Sequence, residues 1–354
     1  MLNIHNKIVV SIIVINFNGS KYVRKCVNSI FESKTPNLEV IVVDNGSSDD
    51  SVVILNTFKQ IKNSTLKIIA LKKNHGPSYA RNQGVKIARG KYIGFLDNDT
   101  IVDKEWARES INAFEKNNRL GVIQCKLLLN KERNKIDYVG EYIGQNGFLI
   151  QTAQAGEIDK NQYNKPSKIL AAKSAGMFIR KDVFNKIGGF DDDYFIYVEE
   201  TDLGWRVWLA GYECRYIPQS IVYHEFGTGT IILGKSKSNF NAKFHGCKNY
   251  ILTLFKNLSL INVIKILPLH IFLWEGLAVY TLCKGEFKNF IWINKGILWN
   301  FVSIKHNLQK RKFVQKNRKV SDSILFPIIM KKRSFLYFLK KGTVKHKVGN
   351  AESF

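Results

Sequence analysis

Cysteine is sparse and scattered in this chain of 354 residues: Cys26, Cys125, Cys214, Cys247 and Cys283. The number is odd and no two stand as C-x-x-C, so neither a disulfide framework nor a cysteine zinc site is indicated. A reducing compartment fits that usage. The N-terminus, MLNIHNKIVVSIIVINFNG, has only a short apolar run and no small-residue cleavage pattern. It therefore reads as a first strand and not as a signal peptide. No G-x-G-x-x-G follows that strand, which argues against a Rossmann dinucleotide site, and no G-x-x-x-x-G-K-[ST] occurs, which argues against a P-loop. Acidic residues are also few: 29 Asp plus Glu against 54 Lys plus Arg, a formal net charge of +25. That excess points to a polyanionic partner surface, nucleic acid or anionic lipid.

What the chain does have is apolar content of 45%, enough for a true core. Its length suits about two domains at the usual ~150 residues each. Val9 to Asn16 is a β-branched run of buried-strand type. Val40 to Val43 and Leu66 to Leu71 are further strands, with helical spacing at Tyr22 to Phe31 and a helix opened by Pro77-Ser78. A strand at Tyr92 to Leu96, a helix over 104–116 and a strand at Val122 to Leu127 continue the alternation. Strands alternating with helices predict an α/β fold with a doubly wound, mostly parallel sheet.

The stretch KYIGFLDNDT, Lys91 to Thr100, organises the rest. Its apolar run ends abruptly in Asp97-Asn98-Asp99. Open α/β sheets bind ligands at the carboxyl ends of their strands, and hard carboxylate oxygens there suit Mg²⁺ or Mn²⁺. The plainer reading is a polar turn that caps a helix. The first strand ends at Asn16 and the second at Asp44, which puts polar side chains on the same rim. With no glycine-rich cradle, a phosphate ligand at this rim needs a metal.

Further on, Glu199, Glu200 and Asp202 open a helix marked by Leu203, Val207 and Ala210. Acids at a helix N-terminus are favoured by the dipole alone, by ~0.3–1 kcal/mol each. Asp202 reads as a cap, or as a group behind the site, accepting backbone N–H bonds. A last strand at Ile221 to Tyr223 carries His224 at its end. A lone histidine is commonly structural, but imidazole at a strand end can also be a metal ligand.

Taken in order, these segments resemble the family-2 glycosyltransferases of GT-A fold, in particular the rhamnosyltransferase-like branch. The matching pieces are VSIIVINFNG (Val10 to Gly19), VIVVDNGSSDDS (Val40 to Ser51), NHGPSYARNQGVKIARGKYIGFLDNDT (Asn74 to Thr100), SAGMFIRKDVFNKIGGFDDDYFIYVEETDLGWRVWLAGY (Ser174 to Tyr212) and VYH (Val222 to His224). They cover about the first two thirds of the chain. The resemblance implies that Asp44 holds the nucleobase. It implies that Asp97 and Asp99 form the D-x-D motif, with Asp99 the more direct ligand of a Mg²⁺ or Mn²⁺ ion and Asp97 nearer the ribose or metal. By the same resemblance His224 matches a histidine that in some members completes the metal site, and Glu200 matches the catalytic base. Family members usually carry E-D where this chain has Glu199-Glu200, which leaves the choice between the two open. Successive helical residues point about 100° apart, so only one of them faces the sugar. The implied activity is inverting, metal-dependent transfer of one sugar from a nucleotide-sugar donor to a lipid-linked or surface-glycan acceptor. The Q-x-x-R-W motif of processive members is absent, in line with transfer of a single sugar.

From about Phe244 the composition changes. Leu258 to Cys283 is long enough to span a bilayer, yet Lys265, His270 and Glu275 interrupt it, and each charge costs ~2.5–3.5 kcal/mol at a helix centre. A span and an in-plane or re-entrant hairpin both fit. Trp292 and Trp299 suit a membrane interface. Lys305, Lys310, Arg311, Lys312, Lys316, Arg318 and Lys319, then Lys331, Lys332, Arg333, Lys340 and Lys341, interleave with Phe313, Phe326, Phe335, Tyr337 and Phe338. That pattern suits anionic head groups; a soluble helical domain with a solvated basic face is the alternative. The expected division is a catalytic domain at 1–228 and a helical membrane-associating region at 229–354, placed at the cytoplasmic face of the cell membrane. Two other functions are the alternatives. A sugar-nucleotide pyrophosphorylase-like enzyme lacks its basic G-G-x-G-T-R-type loop here. A basic nucleic-acid-binding protein leaves the acidic rim unexplained, since that rim repels phosphate without metal, so no nucleic-acid partner is expected.

Overall fold

The computed structural model describes residues 8–35, 37–61, 65–225 and 241–332. The expected boundary at 228/229 and the basic and aromatic positions from Arg333 onward lie outside the described residues.

The first half alternates as expected. Strands Val10–Asn16 (β1), Leu38–Asp44 (β2), Leu66–Ala70 (β3) and Tyr92–Asp97 (β4) are separated by helices Val23–Glu32 (α1), Ser51–Ile61 (α2) and Pro77–Ile87 (α3). A short strand, Thr100–Val102 (β5), precedes helix Trp106–Lys116 (α4) and the long strand Leu120–Leu129 (β6). Small strands follow at Ile136–Tyr138 (β7), Glu141–Gly144 (β8), Leu149–Gln151 (β9) and Ser167–Lys168 (β10). Then come Met177–Arg180 (β11), helices Lys181–Lys186 (α5) and Glu199–Leu209 (α6), and strand Glu213–His224 (β12). The C-terminal part is helical: Ala242–Asn257 (α7), Leu260–Cys283 (α8), Phe287–Val302 (α9), Ile304–Lys316 (α10) and Asp322–Ile329 (α11), closed by Met330–Lys331 (β13).

Among the described residues the main sheet has ten strands, in the order β10-β12-β6-β11-β4-β1-β2-β3, with β5 on β12 and β7 on β6. Strands β4, β1, β2 and β3 are parallel, as are β6 and β12, while β11 runs antiparallel between β4 and β6. A smaller sheet joins β13, β8 and β9.

Side-chain alternation explains why helices cover both faces. Val10, Ile12 and Val14 of β1 pack with α1, α2 and α4, whereas Ile13 and Ile15 pack with α3 and α6. Each such buried side chain stabilises the sheet by about 1.5–3 kcal/mol, so the strand ends form a rigid rim. Gly94 sits mid-strand because a Cβ there would come 2.7 Å from Ile12 and 2.8 Å from Phe178. Leu254 of α7 and Leu258 just past it, Val314 of α10, and Leu325 and Ile329 of α11 belong to the same core cluster as Ile13 and Phe95. The C-terminal helices thus complete the core beneath the sheet.

Candidate active site

Register places the polar strand ends together: Asn16 lies opposite Asp44, and Ile15 opposite Asp97. Asp44 is 1% exposed. Its Oδ1 accepts from Asn16 Nδ2 (2.6 Å) and Ser47 Oγ (2.6 Å), and its Oδ2 from the Ser47 amide (3.0 Å). Asn98 Nδ2 donates to Asn16 Oδ1 at 2.7 Å, tying β4 to β1 at the same rim. Asp44 is therefore a fixed acceptor, set apart from the acids of the D-x-D turn.

Asp97, Asp99 and His224 do converge, with one donor atom from each within 4.8 Å of the others. Strand β12 pairs with β5 so that His224 lies opposite Thr100, beside the turn. The imidazole is oriented by Asp137 of β7, whose Oδ2 lies 2.7 Å from Nδ1. Nε2 is thereby left facing Asp99 Oδ1 at 3.5 Å. Asp99 Oδ1 is buried and makes no hydrogen bond among the described residues. Burial raises Asp97, Arg81 opposes that, Asp99 adds to it, and the net shift is upward. Burial lowers His224, but Asp99 and Asp137 overrule it and lift the imidazole well above its ordinary value. Two crowded carboxylates, an orphaned oxygen and an imidazole held through its second nitrogen by a carboxylate fit a divalent cation with O and N ligands.

On the other side stand Glu199 and Glu200, separated by helix rotation as expected. Glu199 is buried and its Oε1 accepts from Arg81 Nη1 at 3.1 Å. Burial, then the charge of Glu200, push it up to about 7. Glu200 is more open. Its Oε1 accepts from the Ser174 amide at 2.6 Å and from the Ser174 hydroxyl. Arg81 links the two sides: Nη2 lies 3.2 Å from Asp97 Oδ1 and 4.0 Å from Glu200 Oε1. A single buried guanidinium thus stands between the D-x-D carboxylate and the start of α6.

Asp202 departs from expectation. Among the described residues it accepts no helix-capping bond; its carboxylate meets Arg206 (2.9 Å), Asn257 (2.8 Å) and Lys256 (3.0 Å) in a buried ionic cluster. The cause is that α7 passes directly behind α6 and brings its own polar groups.

Arg81 and Asp137 were not singled out from sequence. Arg81 had a readable signal, since it shares the buried face of α3 with Ala80, Gly84 and Val85. A cation at a core position of a helix needs a partner. Asp137 lies in a stretch with no clear periodicity, and only the fold brings it to His224.

A sheet rimmed with acids, a carboxylate across from them and no glycine-rich cradle define a nucleotide-sugar enzyme of GT-A type. The chain belongs to glycosyl transferase family 2, whose model matches residues 11–188. It is 27% identical over 217 residues to the poly-β-1,6-N-acetyl-D-glucosamine synthase of Staphylococcus epidermidis, covering 60% of this chain and 49% of that protein. The chain thus spans about half the length of the curated relatives it matches. Among solved structures it is similar to GalNAc-T7 with UDP, GalNAc and Mn²⁺, with TM-score 0.56, 15% identity and coverage of 70% of this chain and 48% of that one. It is also similar to residues 1–349 of S. aureus TarS in complex with UDP-GlcNAc, with TM-score 0.52, 17% identity and coverage of 74% and 71%. These likenesses establish the GT-A type fold.

Proposed function

We propose that this chain is an inverting, metal-dependent glycosyltransferase that moves one sugar from a nucleotide-sugar donor to a lipid-linked or surface-glycan acceptor. The observation that carries this reading is the convergence of Asp97, Asp99 and His224 across Arg81 from Glu200. Asp44 would hold the nucleobase, and Asp97 the ribose or metal. Asp99, Asp97 and His224 would hold Mg²⁺ or Mn²⁺. When bound, such an ion acts as a Lewis acid for the departing diphosphate. Glu200 accepts the proton of the acceptor hydroxyl as that oxygen bonds to the anomeric carbon and the bond from this carbon to the donor phosphate breaks. A carboxylate within reach of the acceptor hydroxyl can take that proton. One base opposite one leaving group makes a single displacement, with inversion.

The test is a screen of sugar nucleotides for Mn²⁺- or Mg²⁺-dependent release of nucleotide, with and without chelator. We expect Asp99→Ala to lower turnover by ~10³-fold or more and to remove metal-dependent nucleotide binding with the fold retained. Turnover that persists in chelator would sink the metal reading.

We further propose that residues 1–228 act as the catalytic part and 229–354 as a membrane-associating part at the cytoplasmic face. Among the described residues α8 is the one helix long and apolar enough to cross a membrane. One face of it, with His270, Trp274, Ala278 and Thr281, is buried in the protein, and His270 contacts the backbone oxygen of Asn146 at 2.9 Å. The opposite face exposes Ile264 at 66% and Phe272 at 71%, and α9 adds Phe287, Leu298 and Val302. Lys265, Lys284, Lys288 and Lys295 are exposed beside them. A helix held by protein along one side and apolar along the other supports an in-plane arrangement. The full chain should pellet with anionic vesicles, more weakly but still measurably in high salt. Phe272→Glu with Leu298→Glu should remain in the supernatant. Equal pelleting of that variant would remove these faces from the membrane reading.

A further inference from the structure

The segment from Asp191 to Val198, just before α6, follows an uncommon path. Phe195, Tyr197 and Val198 all have positive φ, at 55°, 71° and 66°. None is glycine and Val198 is β-branched, a type for which this region is a steric outlier. Such a path persists only where surrounding groups over-determine it.

The surrounding groups come from α7. Asn249 Nδ2 donates to the backbone oxygens of Tyr194 (2.9 Å), Ile196 (2.8 Å) and Tyr197 (2.8 Å). Three carbonyls accept and cannot donate, which fixes the orientation of this amide. Asn249 is fully buried, and its Oδ1 has no hydrogen bond among the described residues. One turn on, the Thr253 and Tyr194 hydroxyls meet at 2.7 Å. Lys256 pairs with Asp191 (2.6 Å) and Asp202 (3.0 Å). Asn249, Thr253, Lys256 and Asn257 recur at helical spacing on one face, each no more than 2% exposed. A helix normally buries apolar groups on its inner face; this one buries a polar stripe. Opposite, Gly76 closes the segment in, since a Cβ there would lie 2.4 Å from the Phe195 oxygen.

We infer that the polar stripe of α7, with Asn249 at its centre, is a positioning device that holds residues 194–198 in a path that includes the positive-φ residues Phe195, Tyr197 and Val198. It thereby sets Glu199 and Glu200 relative to Asp97, Asp99 and His224. Asn249 is a positioning residue for proton acceptance and contacts neither donor nor metal. This rests on the reading of Glu200 as base.

The test uses the full chain with Asn249→Leu and the milder Asn249→Gln, each normalised to sites that bind UDP with Mn²⁺. We expect kcat to fall ~10–100-fold, the scale of a small misplacement of a reacting group, with the donor KM within ~3-fold of wild type. Amide hydrogen exchange should quicken over 194–201 and stay unchanged in β1 and β4. Val198→Asn, which tolerates a left-handed backbone, should restore turnover at least ~3-fold in the Asn249→Leu background. A purely structural role would lower the folded fraction without changing kcat per binding site, and that outcome overturns the inference. So does unchanged exchange over 194–201, or a donor KM that rises in step with the loss of kcat. If Asn249→Leu does not fold, Asn249→Gln decides by the same readouts. A Glu200→Gln variant run in parallel separates the two ideas. Normal turnover there refutes the base assignment, whereas normal turnover and exchange in the Asn249 variants refute the brace.

Discussion

The two sides of the site are built from different materials. The D-x-D side rests on strand ends. Asp44 follows a β-branched run and Asp97 an aromatic-rich one, both buried, and Asn16 ties Asp44 to Asn98, next to Asp97, across a register that the sheet dictates. The Glu200 side rests on a segment with three positive-φ residues, held by a helix some fifty positions further along the chain. A strand end inherits its precision from ladder hydrogen bonds; a strained segment borrows it from neighbours. The site therefore has one half that local pattern specifies and one half that tertiary contacts specify.

The sharpest way to break that contrast is to change the acids of α6. Glu200→Gln keeps size and hydrogen bonding but loses the proton acceptor, and we predict a ~10²–10⁴-fold fall in turnover with donor affinity near wild type. Glu199→Gln should perturb Arg81 and cost less, and Asp202→Asn should act mainly on stability. Turnover under saturating donor for all three decides; a larger loss in Glu199→Gln would move the base by one residue.

A second prediction concerns acid stability of the ionic cluster. Burial alone would raise Asp191 and Asp202, but Lys256 and Lys310 overrule it for Asp191, and Arg206 and Lys256 for Asp202, so both carboxyls lie below their ordinary value. Groups depressed in the folded state stabilise it above their unfolded value, ~3.9, and that stability is lost as pH falls through the lower folded values. Lys256→Met should cost about 3–5 kcal/mol near neutral pH, the scale for stripping one partner from a buried pair. Because the variant has less depression to lose, its melting curve and that of wild type should converge below about pH 4. A gap that stays constant from pH 8 to pH 3 would show that Lys256 acts by packing.

The smallest effect is expected at Asp137, which reaches the proposed metal site through His224. Asp137→Asn should weaken Mn²⁺ affinity by ~10–100-fold, as loss of an orienting partner does, with saturating metal restoring most of the turnover. A deficit that metal does not rescue would give Asp137 a more direct role.

The parallel block β1 to β4 and its rim were legible because β-branched or aromatic apolar runs and abrupt polar ends are local signals. Strand β12 was read only at Ile221 to Tyr223, although it starts at Glu213. Pro218 and the register break between Ile217 and Ile221 interrupt the period. The antiparallel insertion of β11 between β4 and β6 had no sequence signature. Among the site residues, Asp97, Asp99, Glu200 and His224 were named from motif order. Arg81, Asp137 and Asn249 act through contacts between segments far apart in the chain, and periodicity carries no information about such contacts. Asp202 was misread for the same reason, since its partners Lys256 and Asn257 lie more than fifty positions away.

That distance also sets an order of assembly. The hydrogen bond from Asn16 to Asp44 closes over 28 residues, and those from Asn249 to residues 194–197 over 52 to 55. Chains fold largely in the order in which they emerge from the ribosome. The strand-end half can form while synthesis is under way, but the other half must wait for α7. We therefore expect a nascent chain to acquire its nucleotide-binding groups before it can transfer a sugar, so that catalytic competence arrives only after the helix at Ala242–Asn257 has emerged and docked.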